Sequence, residues 1–166
     1  MANAFNSKAN SQDFKGGYRP NPLSSFSSPT YNLRLSIVHP SKIATLAPKA
    51  EEKVIIAETG TTGIFNITDL EIAHVMGWGG ETRSANGQIA NITITEVNGC
   101  RFFDYLIRAC EELNIQNYIN ATYLLEVQFN ASSTEVQTEA SEYYFVYSLK
   151  FTDVNMQVSE KGATYF

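Results

Sequence analysis

Few residues of this chain have the types and spacing that catalysis or metal binding requires. The two histidines, His39 and His74, fall in different segments, and neither has a Cys, Asp or Glu at a spacing typical of zinc ligands. Glu111 and Glu112 are adjacent on a predicted helix, whereas the paired carboxylates of a glycosidase face each other across a substrate. We therefore interpret this pair as a solvated helix face, and we expect no enzymatic activity, no metal and no cofactor.

The two cysteines, Cys100 and Cys110, lie at the start and in the second half of the same predicted helix. Ten residues at 100° each place them about 80° from a shared face and about 15 Å apart along the axis, too far for a disulfide between them. We expect both thiols to be buried as small apolar groups, so that they contribute packing rather than chemistry.

Composition indicates one domain with a real core and little charge. The 166 residues are 43% hydrophobic and 12% aromatic. Charged residues make up 17%, below the roughly 25% of average soluble domains, which suits a surface partly covered by partners. The net charge is −5, from 12 basic and 17 acidic residues without a basic cluster. We therefore expect no specific nucleic-acid recognition.

Targeting signals are not evident in the sequence. No apolar stretch approaches the ~18 residues of a membrane-spanning helix, and the N-terminal residues lack the apolar core of a signal peptide. We therefore expect a protein that is made in a cytoplasm and has no membrane partner. Asn-x-Ser/Thr triplets then reflect composition rather than glycosylation; they begin at Asn66, Asn91, Asn120 and Asn130.

Residues 1–30 form a segment of different character. They are rich in Asn, Ser, Gly and Pro and have no hydrophobic period, which predicts an extended N-terminal arm. Large apolar side chains nevertheless occur along it, namely Phe5, Phe14, Tyr18, Leu23 and Phe26. Two interpretations are open: the arm lays these side chains on a neighbouring subunit, or it wraps its own domain. Under the first, Phe5, Phe14, Tyr18 and Phe26 are assembly contacts.

Residues 31–166 read as one domain made mainly of strands. Alternation of apolar and polar residues predicts strands at 31–38, 89–97, 122–129, 142–152 and 154–158, followed by a tail. The continuous apolar run at 54–58 predicts a strand buried on both faces. The turn TGTTG at 59–63 predicts a hairpin to one or two strands at about 64–75, with a bulge near 69–71. It is not a phosphate loop, because the closing Lys-Ser/Thr pair is missing and no helix follows.

A Gly-rich loop, MGWGGETRSANGQ, occupies residues 76–88 and contains the single tryptophan of the chain, Trp78. A tryptophan among glycines either fixes the loop to its own domain or is presented to a partner. Aromatic residues and arginine are enriched at the centres of interfaces. Met76, Trp78 and Arg83 are therefore further candidate assembly contacts.

One helix is predicted in the chain, at about 101–114, with strands before and after it. It would be about 21 Å long. Its apolar residues recur at helical spacing and form one stripe, consisting of Phe103, Leu106, Ile107, Cys110 and Leu113. We predict that this stripe covers one face of the sheet, so that the helix is a structural brace rather than a carrier of active-site residues.

Several of these segments resemble one group of proteins. The similar pieces are YNLRLSIVHP at 31–40, VIIAETGTTGIFNI at 54–67, NGCRFFDYLIRACEELNIQNY at 98–118 with YLLEVQF at 123–129, and VSEKGATY at 158–165. Over residues 31–165 this pattern resembles the N-terminal portion of long structural polypeptides in the tail and baseplate of tailed bacteriophages. Those proteins are longer than this chain, so a processed piece and a short member of the group are both open.

The resemblance implies a tail-tube-like β-barrel or sandwich flanked by a single helix. It implies a virion protein, a tube- or baseplate-hub-like subunit that forms a homo-oligomeric ring and contacts other phage tail proteins, without a small-molecule substrate. A negative charge would keep DNA from adhering to the lumen. The alternative is a ligand- or carbohydrate-binding β-sandwich module of a virion or surface protein, with Trp78 and tyrosines as stacking platforms. An enzyme with a dispersed site is a third interpretation.

Overall fold

The structure is a computed structural model that describes residues 29–39, 41–42, 52–60, 63–76, 86–131 and 144–166. Across these ranges the chain is mainly β, with one helix, which confirms the predicted fold class. The elements are β1 (Pro29–Val38), β2 (Lys53–Glu58), β3 (Phe65–Met76), β4 (Asn86–Val97), α1 (Phe102–Glu112), β5 (Thr122–Ala131), β6 (Tyr144–Leu149), β7 (Met156–Ser159) and β8 (Gly162–Tyr165). The predicted arm lies outside the described residues except for its last two, which open β1.

The eight strands form one sheet in the order β6-β5-β1-β2-β3-β4-β8-β7. Neighbours are antiparallel except β2 and β3, which run parallel and pair at Glu58 and Asn66. The predicted hairpin at 59–63 is therefore wrong. Thr59 stays bound to β1, because its N–H donates to the Leu33 carbonyl at 2.9 Å and its hydroxyl accepts from the Leu33 N–H. β3 therefore passes the end of β2 in the same direction instead of folding back on it.

The sheet is curved and open. Eight strands laid flat would span about 34 Å at about 4.8 Å per spacing. The outermost strands, β6 and β7, follow each other in the chain, and seven steps from Leu149 to Met156 reach at most about 25 Å. The sheet must therefore curl, and Phe151 in this link stacks on Tyr123 of β5 with ring centroids 3.9 Å apart. Among the described residues no ladder joins β6 to β7, so the architecture is sandwich-like and a closed barrel is not seen.

The core fills the inner face of the curled sheet, and α1 lies against it. Leu35 and Ile37 of β1 are fully buried there, as are Leu106 of α1 and Tyr123 of β5. Alternation explains this, because every second residue of β1, β5 and β6 is apolar and points inward. Ile55 of β2 is 40% exposed, whereas Ile56 and Ala57 are buried, so the predicted burial of the whole strand on both faces fails at Ile55.

The helix is rotated relative to its predicted orientation. Its buried residues are Phe102, Leu106, Ala109 and Cys110, which moves the centre of the buried face by about 50° at 100° per residue. Ile107 is 46% exposed and therefore does not belong to the brace. Phe103 and Leu113 are half-buried and pack on the core. Phe102 packs between Tyr165 and Phe65, with ring centroids 4.7 Å and 5.3 Å away. Tyr165 belongs to β8, a strand that the sequence pattern did not reveal.

The strands β3 and β4 extend beyond the rest of the sheet. Their ladder runs from Phe65 and Glu96 to Met76 and Asn86, with a register shift between Ile67 and Asp69, near the predicted bulge. β8 pairs with β4 only from Ile94 onward. The remaining part, 69–76 with 86–93, is a two-stranded extension of the sheet about 27 Å long, which we call the hairpin arm. Leu70, Ile72 and Ile92 at its base pack on the core. No helix in the described ranges is long and apolar enough to span a bilayer.

Candidate functional site

Residues that could perform catalysis are dispersed. Within the described part of the chain, no three His, Cys, Asp or Glu side chains form a group that could hold a metal ion. The His39 Nδ1 lies 2.7 Å from the Ser41 hydroxyl, and the His74 Nδ1 lies 3.1 Å from the Gln88 amide nitrogen. Both imidazoles are thus engaged with local neighbours on different parts of the sheet.

The two thiols have different environments. Cys110 is buried, as predicted, and burial raises the pKa of its thiol. Cys100 is exposed, which corrects the expectation that both are buried. It lies in the turn between β4 and α1. The two cysteines are free of disulfides.

That carboxylate anchors the start of the helix. Glu96 is 1% exposed, and its Oε2 accepts hydrogen bonds from the Arg101 N–H at 2.7 Å and the Tyr165 hydroxyl at 2.9 Å. Burial, followed by the hydrogen bond to Glu96, raises the pKa of Tyr165 to about 12. A side chain at Gly99 would place its Cβ 2.2 Å from Glu96 Oε1, so only glycine leaves room for the carboxylate. This arrangement gives the NGCRFF segment a structural role.

The outermost strands of the sheet, β6 and β7, each pair with one neighbour among the described strands. β6 reads YFVYSL and β7 reads MQVS, and neither contains a charge or a proline. Natural sheets usually protect edge strands with such residues, because an open edge templates pairing with another chain. Among the residues described, no strand lies beyond β6 or β7. Both edges are therefore suited to pairing with a partner strand.

Apolar side chains accompany the edge at β7. Met156 is 48% exposed and Val158 is 60% exposed, while Phe166 and Val97 nearby are also exposed. The backbone of β7 has a defined orientation. Asn155 and Phe166 exchange both N–H···O bonds, so the alternation of an antiparallel ladder directs the N–H groups of Met156 and Val158 away from β8. These two donors face the open edge.

A second feature is a cleft of about 390 Å³ on the outer face of β2, β1, β5 and β6, which we call the polar cleft. It is lined by Asn32, Leu33, Arg34, Glu58, Thr59, Glu126, Gln128 and Tyr144. At its base Glu126 Oε1 lies 2.8 Å from the Lys53 ammonium and accepts a hydrogen bond from the Tyr144 hydroxyl. Burial, and then the bond to Glu126, raises the pKa of Tyr144. The Arg34 Nε lies 3.4 Å from Glu58 Oε2.

The predicted assembly contacts are placed only in part. Met76 is the last residue of β3 and pairs with Asn86 at the tip of the hairpin arm. The others lie outside the described residues, namely Phe5, Phe14, Tyr18, Phe26, Trp78 and Arg83. Sequence reasoning missed Glu96 and Glu126. The available signal was a glutamate within each apolar strand pattern, ITITEV and TYLLEVQF, where a charge on a buried strand indicates a specific partner.

Comparison with known proteins finds no matching family model, no similar curated sequence and no similar solved structure. The resemblance to phage tail proteins therefore remains a prediction from the sequence.

Proposed function

We propose that the protein is a structural subunit that assembles with copies of itself through its sheet edges, as a tube- or baseplate-hub-like component of a bacteriophage tail. The observation that carries this proposal is the pair of uncharged, proline-free edge strands, β6 and β7. A six-residue edge such as YFVYSL, with high β-propensity and no charge, is an aggregation hazard unless a partner covers it. Pairing between subunits would cover it.

The two edges belong to different strands, and this determines the kind of assembly. Pairing of β6 in one copy with β7 in the next uses two different surfaces, so the contact is heterologous. Heterologous contacts form rings when the rotation between subunits closes, and filaments when it does not. Exposed Met156 and Val158 would then be covered along with the backbone of β7.

The hairpin arm supports the same proposal. Its two strands pair with each other from Asp69 and Thr93 to Met76 and Asn86, and no other described strand borders them there. Leu70, Ile72 and Ile92 attach the base of the arm to the core, whereas two strands without other neighbours, as in its outer half, are only marginally stable in water. Ile89 on its outer side is 53% exposed. Contact with a neighbouring subunit would stabilise the arm and cover this side chain.

The placement in a phage tail rests on the sequence resemblance at residues 31–165, and a net charge of −5 suits a surface along which DNA passes. Mass spectrometry of purified virions of the source phage tests this part separately. We expect the chain among the virion proteins. Virions that lack it would contradict the tail location and leave edge-mediated assembly to be judged by its own test.

Assembly is tested by a proline at the open edge. Val158→Pro removes an N–H that faces away from β8, so the β7–β8 ladder is retained while pairing with another chain is blocked. We expect sedimentation equilibrium to give an oligomer for the wild type and a folded monomer for Val158→Pro.

Val158→Thr is the matched control, because it keeps the N–H group and a β-branched side chain. We expect this variant to assemble like the wild type. A wild-type chain that stays monomeric at high protein concentration, or a Val158→Pro variant of unchanged mass, would show that the edge is not the assembly surface.

A further inference from the structure

We propose that the polar cleft is a binding site for an uncharged saccharide. This inference is independent of assembly through the sheet edges. It rests on a buried carboxylate oxygen without a partner, on the charge balance of the cleft, and on the mixture of hydrogen-bonding groups around it.

The unpartnered acceptor is Glu126 Oε2. Glu126 is 7% exposed, and its Oε1 already interacts with Lys53 and Tyr144. Its Oε2 is buried and has no hydrogen-bond partner among the described residues. Buried polar atoms are almost always paired in folded proteins, and a carboxylate oxygen is costly to leave unpaired. A ligand that donates a hydrogen bond into the cleft would satisfy this atom.

Charge balance favours a ligand without net charge. Each carboxylate in the cleft has a cation beside it: Lys53 lies next to Glu126, and Arg34 next to Glu58. The formal charges of these four groups sum to zero. A cationic ligand would meet Lys53 close to the free oxygen of Glu126, and an anionic ligand would meet the two carboxylates. Neither ligand would find an unpaired opposite charge in the cleft, and a charge buried without such a partner is costly.

The surrounding groups both donate and accept hydrogen bonds. Asn32 and Gln128 are exposed at the rim, and each amide carries two N–H donors and one carbonyl acceptor. The hydroxyl groups of a sugar also donate and accept hydrogen bonds. One sugar ring can therefore bind several of these groups at once. The Tyr144 ring, 41% exposed, adds an apolar wall suited to the C–H face of a sugar.

The dimensions suit a small ligand. The cleft volume of about 390 Å³ falls within the range of roughly 300–1,000 Å³ that small-molecule sites occupy. The cleft lies on four neighbouring strands of the sheet, and its deepest group, Glu126, is held by Lys53 and by the Tyr144 hydroxyl. Such rigid support is what a preorganised site requires.

Saturation-transfer difference NMR on the full chain tests the proposal, with maltose, cellobiose and diacetylchitobiose as neutral probes and glucuronic acid as a charged comparison. We expect saturable binding of at least one neutral disaccharide at millimolar concentration. Asn32→Ala and Gln128→Ala each remove a rim amide on an exposed position that should tolerate truncation. Each should weaken binding about threefold to tenfold. Asn91→Ala, an exposed amide on the hairpin arm, should leave the affinity unchanged.

A further variant addresses the buried acceptor directly. Glu126→Gln replaces the free carboxylate oxygen with either an amide oxygen or an N–H donor, and we expect weaker binding in a chain whose circular dichroism matches the wild type. Absence of saturable binding by all three neutral probes would overturn the proposal. So would equal affinity in the wild type and both rim variants, or a preference for glucuronic acid over the neutral sugars.

Discussion

The clearest single test of the fold compares two adjacent residues of α1. Leu106 is 0% exposed and Ile107 is 46% exposed, although both belong to the apolar stripe predicted from helical spacing. Truncating a buried leucine to alanine lowers the free energy of unfolding by about 2–5 kcal/mol, because apolar contacts are lost and a cavity is left behind. At Ile107 the change should stay within about 1 kcal/mol, since little packing is lost and alanine is the better helix former.

Urea unfolding followed by circular dichroism measures the difference. With a slope of about 2 kcal/mol per M, Leu106→Ala should lower the midpoint by roughly 1–2.5 M, and Ile107→Ala by less than roughly 0.5 M. One fixed protein concentration is needed, because self-association makes apparent stability concentration-dependent. Equal shifts in the two variants would refute the helix orientation described above and restore the stripe predicted from the sequence.

Two further predictions concern the anchor at the start of α1. Gly99→Ala should destabilise the fold by about 1–3 kcal/mol, measured by the same unfolding assay, because the new Cβ would lie 2.2 Å from Glu96 Oε1; an unchanged midpoint would contradict the described position of that carboxylate. The raised pKa of Tyr165, from 10.0 to about 12, means that the folded state holds this proton more tightly than the unfolded chain. Its stabilisation is therefore complete below a pH of about 10 and is lost as the pH rises toward about 12. Tyr165→Phe should reduce the alkaline loss of stability in that window, and an identical pH profile in the variant would contradict the assignment.

Most of the fold was predicted from the alternation of apolar and polar residues along the strands. In β1, β5 and β6 every second residue is apolar, and the same residues face the core, because a pleated strand directs neighbouring side chains to opposite faces. A periodic pattern of apolar residues identifies a strand or a helix, but it does not identify the strand with which that element pairs. The turn after Glu58 therefore looked like a hairpin, whereas Thr59 is bound to β1 and β3 runs parallel to β2.

The short strand β8 shows where the sequence was insufficient. Only two of its residues, Ala163 and Tyr165, point inward. So short an alternation was not recognised as a strand, and the segment was read as a tail. Without β8, one of the aromatic partners of Phe102 is missing, and the buried face of the helix cannot be assigned. The local pattern thus predicted the helix correctly, whereas tertiary contacts determine which of its faces is buried.

The polar cleft was beyond the reach of sequence patterns for a similar reason. Arg34, Lys53, Glu126 and Tyr144 come from four different strands, and the Lys53–Glu126 pair spans 73 positions of the chain. Each residue read alone is an ordinary polar member of a strand face. Only the strand order β6-β5-β1-β2 brings them together.

The central claim, that the edge of β7 pairs with another copy of the chain, can be tested at single amides. The N–H groups of Met156 and Val158 face away from β8, so they have no partner within the described fold. Hydrogen exchange measured at low and at high protein concentration reports directly on whether they acquire one. We expect slow exchange at these two amides in the assembled protein and fast exchange in the dilute monomer. Exchange that is equally fast at both concentrations, in a sample that sediments as an oligomer, would contradict edge pairing at β7.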